Sequence, residues 1–174
     1  DAFALFAHCF TCSKDYKAVV RISRELAAAG VAVCRFDFTG LGESGGDFAD
    51  TNFSSNLEDL LAATDFLRQE FAGPELLIGH SLGGAAILAA ASRIPEARAV
   101  VTLAAPSDTE HLSSRLQRMA PELTRTGEAT VTLAGRPFLV RKQLLLDLER
   151  HNMETYVAEL GRPLLIIHSP EDET

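Results

Sequence analysis

A three-layer α/β fold with a mostly parallel sheet is the class this sequence predicts, on three observations. Short apolar runs of strand length alternate with segments of helical periodicity along most of the chain. Gly-rich connections join the runs to the helices that follow. The 174 residues are 47% hydrophobic and 23% charged, an ordinary balance for one globular domain, and a chain this long buries roughly 70% of its unfolded surface.

The elements follow in order. Ala2–Ala7 is an almost wholly apolar run, as expected of a strand covered on both faces. From Lys14 to Ala29, residues Val19, Ile22, Leu26 and Ala29 recur at helical spacing, and Gly30 stops the helix. Val31–Phe38 reads as a second buried strand, followed by the Gly-rich loop Thr39–Gly46. Ser54 or Ser55 starts a helix that places Leu57, Leu60, Leu61, Thr64 and Leu67 on one face, and Gly73-Pro74 breaks it. Glu75–Gly79 is the third strand and Leu82–Arg93 a buried, Ala-rich helix. Ala99–Ala104 and Leu164–His168 are the fourth and fifth strands. Strands alternating with helices predict a parallel sheet with right-handed crossovers, and the expected order is Val31–Phe38, Ala2–Ala7, Glu75–Gly79, Ala99–Ala104, Leu164–His168.

Residues 106–160 break the alternation. They carry helices near His111–Met119 and Lys142–Leu160, with a hairpin between them: Ala129–Leu133 and Pro137–Val140 around Ala134-Gly135-Arg136. An excursion of this size between two core strands predicts a cap over a pocket.

Charge and composition exclude several function classes. A net charge of -8 and the lack of a basic stripe argue against a nucleic-acid partner. No run of 18 apolar residues predicts a membrane span, and no basic, apolar leader opens the chain, so a cytoplasmic protein is expected. Cys9 and Cys12 form a C-x-x-C pair and Cys34 lies in an apolar run; all three are expected to be free thiols. No second C-x-x-C or H-x-x-x-H follows, which argues against zinc, and no metal or organic cofactor is expected.

The chemistry concentrates at Gly79-His80-Ser81-Leu82-Gly83. A serine hydroxyl attacks well only when a base takes its proton and its Oγ is presented without crowding. A sharp strand-to-helix turn presents it, and the residues two before and two after must then be small. Gly79 and Gly83 meet that need, between the strand Leu76-Leu77-Ile78 and an Ala-rich helix. Ser81 is therefore the candidate nucleophile. The N–H of Leu82 is one expected oxyanion donor, and the N–H of Phe10, in the loop after the first strand, is the other. His8 and His80 are expected to support the loop and the elbow, and Ser13 and Lys14 to fix the loop or start the helix. Asp172, just past the fifth strand, is the candidate acid in the chain order Ser, Asp, His, with Glu171 and Glu173 as alternatives. No histidine follows it. His111 and His151 are expected to face solvent and His168 to be packed, so the base is expected beyond Thr174 unless one of the five histidines present substitutes.

These segments together resemble a known family. His8-Cys9-Phe10-Thr11-Cys12-Ser13-Lys14-Asp15 is similar to the oxyanion loop of dienelactone-hydrolase and feruloyl-esterase-like serine hydrolases, with cysteine at two positions where those proteins carry glycine. Arg35–Ser44, Asp50–Asn56, Leu77–Gly84 and His168–Thr174 resemble the hydrolase part of bifunctional α/β-hydrolase/OsmC proteins. The resemblance implies a three-layer α/β-hydrolase fold, truncated at both ends, with a cap insertion at about 106–160. It implies an esterase acting on a small or medium acyl ester through an acyl-Ser81 intermediate, with Asp37 and Ser44 bracing the oxyanion loop. Thioesterase or acyl transferase chemistry, or a non-catalytic binding domain, are the alternatives. The resemblance extends to an OsmC-like domain fused in the full-length protein as a possible partner, and exposed sheet edges would permit a homodimer. Without its histidine, the segment itself is expected to be weakly active or inactive.

Overall fold

The computed structural model describes residues 2–172. Its main sheet has five parallel strands: β1 (Ala2–Ala7), β2 (Val31–Arg35), β3 (Leu76–His80), β4 (Ala99–Leu103) and β7 (Leu164–Ile167). The order β2-β1-β3-β4-β7 is the expected one, with the elbow strand β3 at the centre. β2 ends three residues earlier than expected. The backbone leaves the sheet there because the side chain of Asp37 and the carbonyl of Phe38 are taken up by the Gly-rich loop.

The period-2 pattern of β1 divides the core. Ala4 and Phe6 pack with Val19 and Ile78 beneath α1 (Lys17–Ala28), whereas Leu5 and Ala7 face the larger cluster under α2 (Phe53–Glu70) and α3 (Leu82–Ala90). These are the two helical layers. α2 is capped by Asn52, whose side chain accepts from the Ser55 N–H while the Ser55 hydroxyl receives the Asn52 N–H, a capping box that starts the helix at Phe53, one residue before the earlier of the two expected serines. Every residue of α3 is buried, so this helix is held by packing on both sides.

Residues 106–160 form α4 (Thr109–Met119), α5 (Leu123–Thr126), a hairpin of β5 (Glu128–Leu133) and β6 (Arg136–Arg141), then α6 (Lys142–Leu148) and α7 (Met153–Ala158). The hairpin turns through Ala134 and Gly135, both at positive φ (50° and 76°), as a two-residue turn between right-twisted strands requires. The single helix expected over Lys142–Leu160 is two. The first ends at Leu148, and Asn152 caps the second by accepting from the Thr155 N–H. This segment is tied to the core: Asp147 accepts from the N–H and hydroxyl of Ser54, and Phe138 packs on Phe48 at 4.9 Å.

His151 is not solvent-facing. Its ring is held between the Ser54 hydroxyl (3.1 Å), the Tyr156 hydroxyl (2.8 Å) and the face of Phe53. His168 is not packed: its side chain is 39% exposed, because β7 is the edge strand and Leu165, Ile166 and Ile167 are more than half exposed. His111 is exposed as expected.

Candidate active site

Ser81 sits at the turn between β3 and α3 with φ 52° and ψ -126°, a conformation that costs a non-glycine residue about 1–3 kcal/mol. Its own N–H donates to the carbonyl of Leu103 at 2.8 Å, and its carbonyl accepts from Gly84 at 2.8 Å. The turn is thus fixed by backbone bonds to β4 and to the first turn of α3. Small residues are required on both sides. A Cβ on Gly79 would lie 2.5 Å from the Cα of Gly84, and one on Gly83 would lie 2.6 Å from the carbonyl oxygen of Ala7.

The loop after β1 passes beside this turn. His8 is fully buried; its Nδ1 pairs with the Cys9 carbonyl at 2.8 Å, while its Nε2 accepts from the Phe38 N–H and lies 3.5 Å from Asp37. Asp37 braces the loop as expected. It accepts from the N–H of Lys14 (2.6 Å), the Lys14 ammonium (2.9 Å) and the N–H of Glu43 (3.0 Å), and Ser44 donates to its carbonyl. Burial pushes the Asp37 carboxyl up, but these hydrogen bonds and the Lys14 charge outweigh it and hold it below its ordinary 3.8. Lys14 reaches Glu43 as well, and both anions push its ammonium up.

Ser81, Leu82, Phe10 and Thr11 line one cavity of about 230 Å³, roofed by α4 and the hairpin turn through His111, Leu112, Arg115 and Ala134. The sequence predicted a cap from residues 106–160 but not which of its residues meet the elbow, since nothing in the pattern of α4 marks the face that lines this cavity. Arg136 of the hairpin turn donates to the carbonyl of Thr11 and lies over the Phe138 ring at 5.3 Å, pinning the roof to the loop after β1. A larger cavity of about 670 Å³ lies between β4, β7 and α7 and does not include Ser81. Asp172 is half-buried, 3.5 Å from the Nε2 of His168, and its charge acts on His80. Glu171 is exposed, and Glu173 lies outside the described residues.

Cys9 and Cys12, expected as free thiols, are joined in a disulfide. The Cys12 N–H closes a turn on the Cys9 carbonyl at 3.1 Å and leaves the two Cα atoms 5.2 Å apart, within the usual range for a bridge. Cys34 is free, and burial pushes its thiol up. No helix of the described residues is long and apolar enough to cross a membrane.

Burial pushes the imidazoles of His8, His80 and His151 below their ordinary 6.5. Groups with lowered folded values bind fewer protons folded than unfolded. Their contribution to stability is therefore intact above 6.5 and is lost as the pH falls from there through the folded values. The urea midpoint is expected to be lower at about pH 5.5 than at about pH 7.5, where most carboxylates stay ionised. An equal or higher midpoint at the acidic pH would contradict the neutral, buried state of these rings.

A strained serine at a strand-to-helix turn, above the carboxyl edge of a parallel sheet and beside a braced loop, defines an α/β-hydrolase fold. The Hydrolase_4 family, described as serine aminopeptidase S33, matches residues 12–155, and the chain belongs to this family. The esterase domain from a Rhodothermus marinus protein is 52% identical with a TM-score of 0.71, over 99% of this chain and 66% of that one. Palmitoyl-protein thioesterase ABHD10, mitochondrial, of Homo sapiens is 34% identical over 83% of this chain and 48% of its own length. Est1E from Butyrivibrio proteoclasticus, with ferulic acid bound, shares the fold at a TM-score of 0.78 and 24% identity, over 99% of this chain and 70% of that one. The chain thus spans about half the length of the human relative. The resemblance to α/β-hydrolase serine hydrolases holds.

Proposed function

We propose that Ser81 is the nucleophile of a carboxylic-ester hydrolase acting on small or medium acyl groups. The observation that carries this reading is the positive φ of Ser81 at the floor of a cavity it shares with Phe10 and Leu82. The Ser81 Oγ attacks the substrate carbonyl as a base takes its proton, and the N–H groups of Leu82 and Phe10 receive the oxyanion. The alcohol leaves with that proton, and water then cleaves the acyl-Ser81 ester. Asp172 is the acid that orients the base, and in the order Ser, Asp, His that base follows it in the full-length protein. The roof of α4 and the hairpin acts as a lid that excludes water.

The thioesterase reading is favoured by the human relative's name and by the apolar roof residues Leu112, Leu116 and Met119. Turnover of matched thioesters and oxygen esters separates the two. The 174-residue chain alone is expected to hydrolyse esters weakly. Turnover at the level of an intact triad would instead assign the base to His111, the histidine that lines the Ser81 cavity.

The direct test is covalent. A fluorophosphonate probe on the full-length protein is expected to give one adduct, on the peptide bearing Ser81. An adduct elsewhere, or none, would overturn the assignment and favour a binding domain that keeps only the fold.

A further inference from the structure

The C-x-x-C pair plays no part in the reaction above, yet it sits against the elbow. The structure brings His80, distant in sequence, to Cys9 and Cys12, so that one donor atom from each lies within 4.8 Å of the others. We propose that, once the disulfide is reduced, Cys9, Cys12 and His80 bind one thiophilic divalent cation of the zinc class, with a fourth position left open.

Three features support it. The first is spacing. Tetrahedral zinc with bonds of about 2.3 Å to sulfur and about 2.0 Å to nitrogen holds its donors roughly 3.5–3.8 Å apart, inside the observed limit. Two cysteines separated by two residues on one tight turn are a standard half-site, and the Cys12 N–H to Cys9 carbonyl bond already forms that turn. The second is the imidazole itself. The Nδ1 of His80 is buried and has no hydrogen-bond partner among the described residues. A buried polar atom without a partner is rare and calls for one, and a metal ion is the partner that two adjacent thiolates would recruit. The third is orientation. Tyr16 stacks parallel on the His80 ring at 5.9 Å, an interplanar angle of 6°, and so restricts its rotation before any ion arrives. A third ligand supplied by the elbow also removes the need for a second cysteine pair nearby in sequence.

Sulfur donors select against magnesium and calcium. The chemistry balances with a dithiol as reductant. It gives two electrons and two protons to the Cys9–Cys12 bond and becomes a disulfide itself; the cation then displaces the two thiol protons. The disulfide form holds no thiolate and binds no ion.

The test uses the full-length protein, reduced with a dithiol, desalted without oxygen and titrated with Co2+. One equivalent is expected to raise a thiolate-to-cobalt charge-transfer band, which Zn2+ then bleaches. Oxidised protein, Cys9→Ser and Cys12→Ser are expected to show no such band, and His80→Ala to bind at least tenfold more weakly. His80→Cys, which restores a ligand, is expected to recover the band and guards against a fold defect in His80→Ala. A reduced protein with its thiols free but no band would overturn the proposal, as would His80→Ala binding at wild-type affinity. Hydrolysis that follows the redox state without any band would mean a dithiol–disulfide switch alone, which also overturns it. Because the readout is metal binding, the outcome is independent of whether Ser81 is the nucleophile.

Discussion

Replacing Ser81 with alanine is expected to lower ester hydrolysis by the full-length protein by about 10⁴-fold or more. The size follows from what is removed. On the proposed mechanism, loss of the hydroxyl removes the acyl-enzyme route and leaves only binding and the N–H groups of Phe10 and Leu82 to help water attack. The effect should fall on kcat, with KM little changed, because the cavity walls stay in place. Measurement of kcat and KM on a short-chain aryl ester checks it, and a loss of less than tenfold would assign the nucleophile elsewhere. Stability offers a second reading of the same position. At φ 52° the alanine inherits the backbone strain of Ser81, of order 1–3 kcal/mol, whereas glycine relieves it at an entropic cost of about 0.5–1 kcal/mol. Ser81→Gly should therefore melt above Ser81→Ala while being equally inactive. The reverse order would show that the turn is not strained.

The elbow was legible in the sequence because its determinants are local. The strand, the flanking glycines and the Ala-rich helix lie within twenty residues, and each has its own signature. The parallel sheet was legible for a related reason: apolar strands alternating with helices require right-handed crossovers, and the order of its strands came with the family resemblance. Contacts between distant segments were not. His151 reads as a polar residue in a charged stretch, and only the fold shows that Ser54 and Phe53, nearly a hundred residues away, surround it. His168 reads as the end of a buried strand, but an edge strand leaves it open. The break at Asn152 was visible in principle, since an Asn three residues before Thr155 is a cap signal, but the apolar periodicity on either side hides it. The approach of His80 on β3 to the Cys9–Cys12 pair on the loop after β1 belongs to the same class, although the disulfide itself is local.

The second large effect tests how closely the elbow is packed against the loop after β1. Gly83→Ala is expected to destabilise the protein by about 3 kcal/mol and to lower activity together with stability. Alanine has the better helix propensity, by up to about 1 kcal/mol, and Gly83 does not sit at positive φ, so local preference alone predicts a gain. Packing reverses the sign. The new Cβ would fall on the carbonyl oxygen of His8, 2.6 Å from the carbonyl oxygen of Ala7 and 2.9 Å from its carbon. These are backbone atoms at the end of the β1 strand, held in the sheet and by the buried His8 ring, so they cannot turn aside as a flexible side chain would. α3 must move instead, and with it Ser81 and the N–H of Leu82, or else β1 must move and carry Phe10 with it. Either shift opens the distance between the N–H groups of Phe10 and Leu82, the oxyanion donors of the proposed mechanism. Gly84→Ala should cost less, because its Cβ would meet the Ala105 methyl at 2.7 Å and a carbonyl oxygen at 3.1 Å. Gly45→Ala, whose Cβ meets nothing within 4 Å, should be within about 0.5 kcal/mol of wild type. Urea unfolding of the three variants gives the order, and a Gly83→Ala midpoint equal to that of Gly45→Ala would show that the loop after β1 does not rest on the elbow.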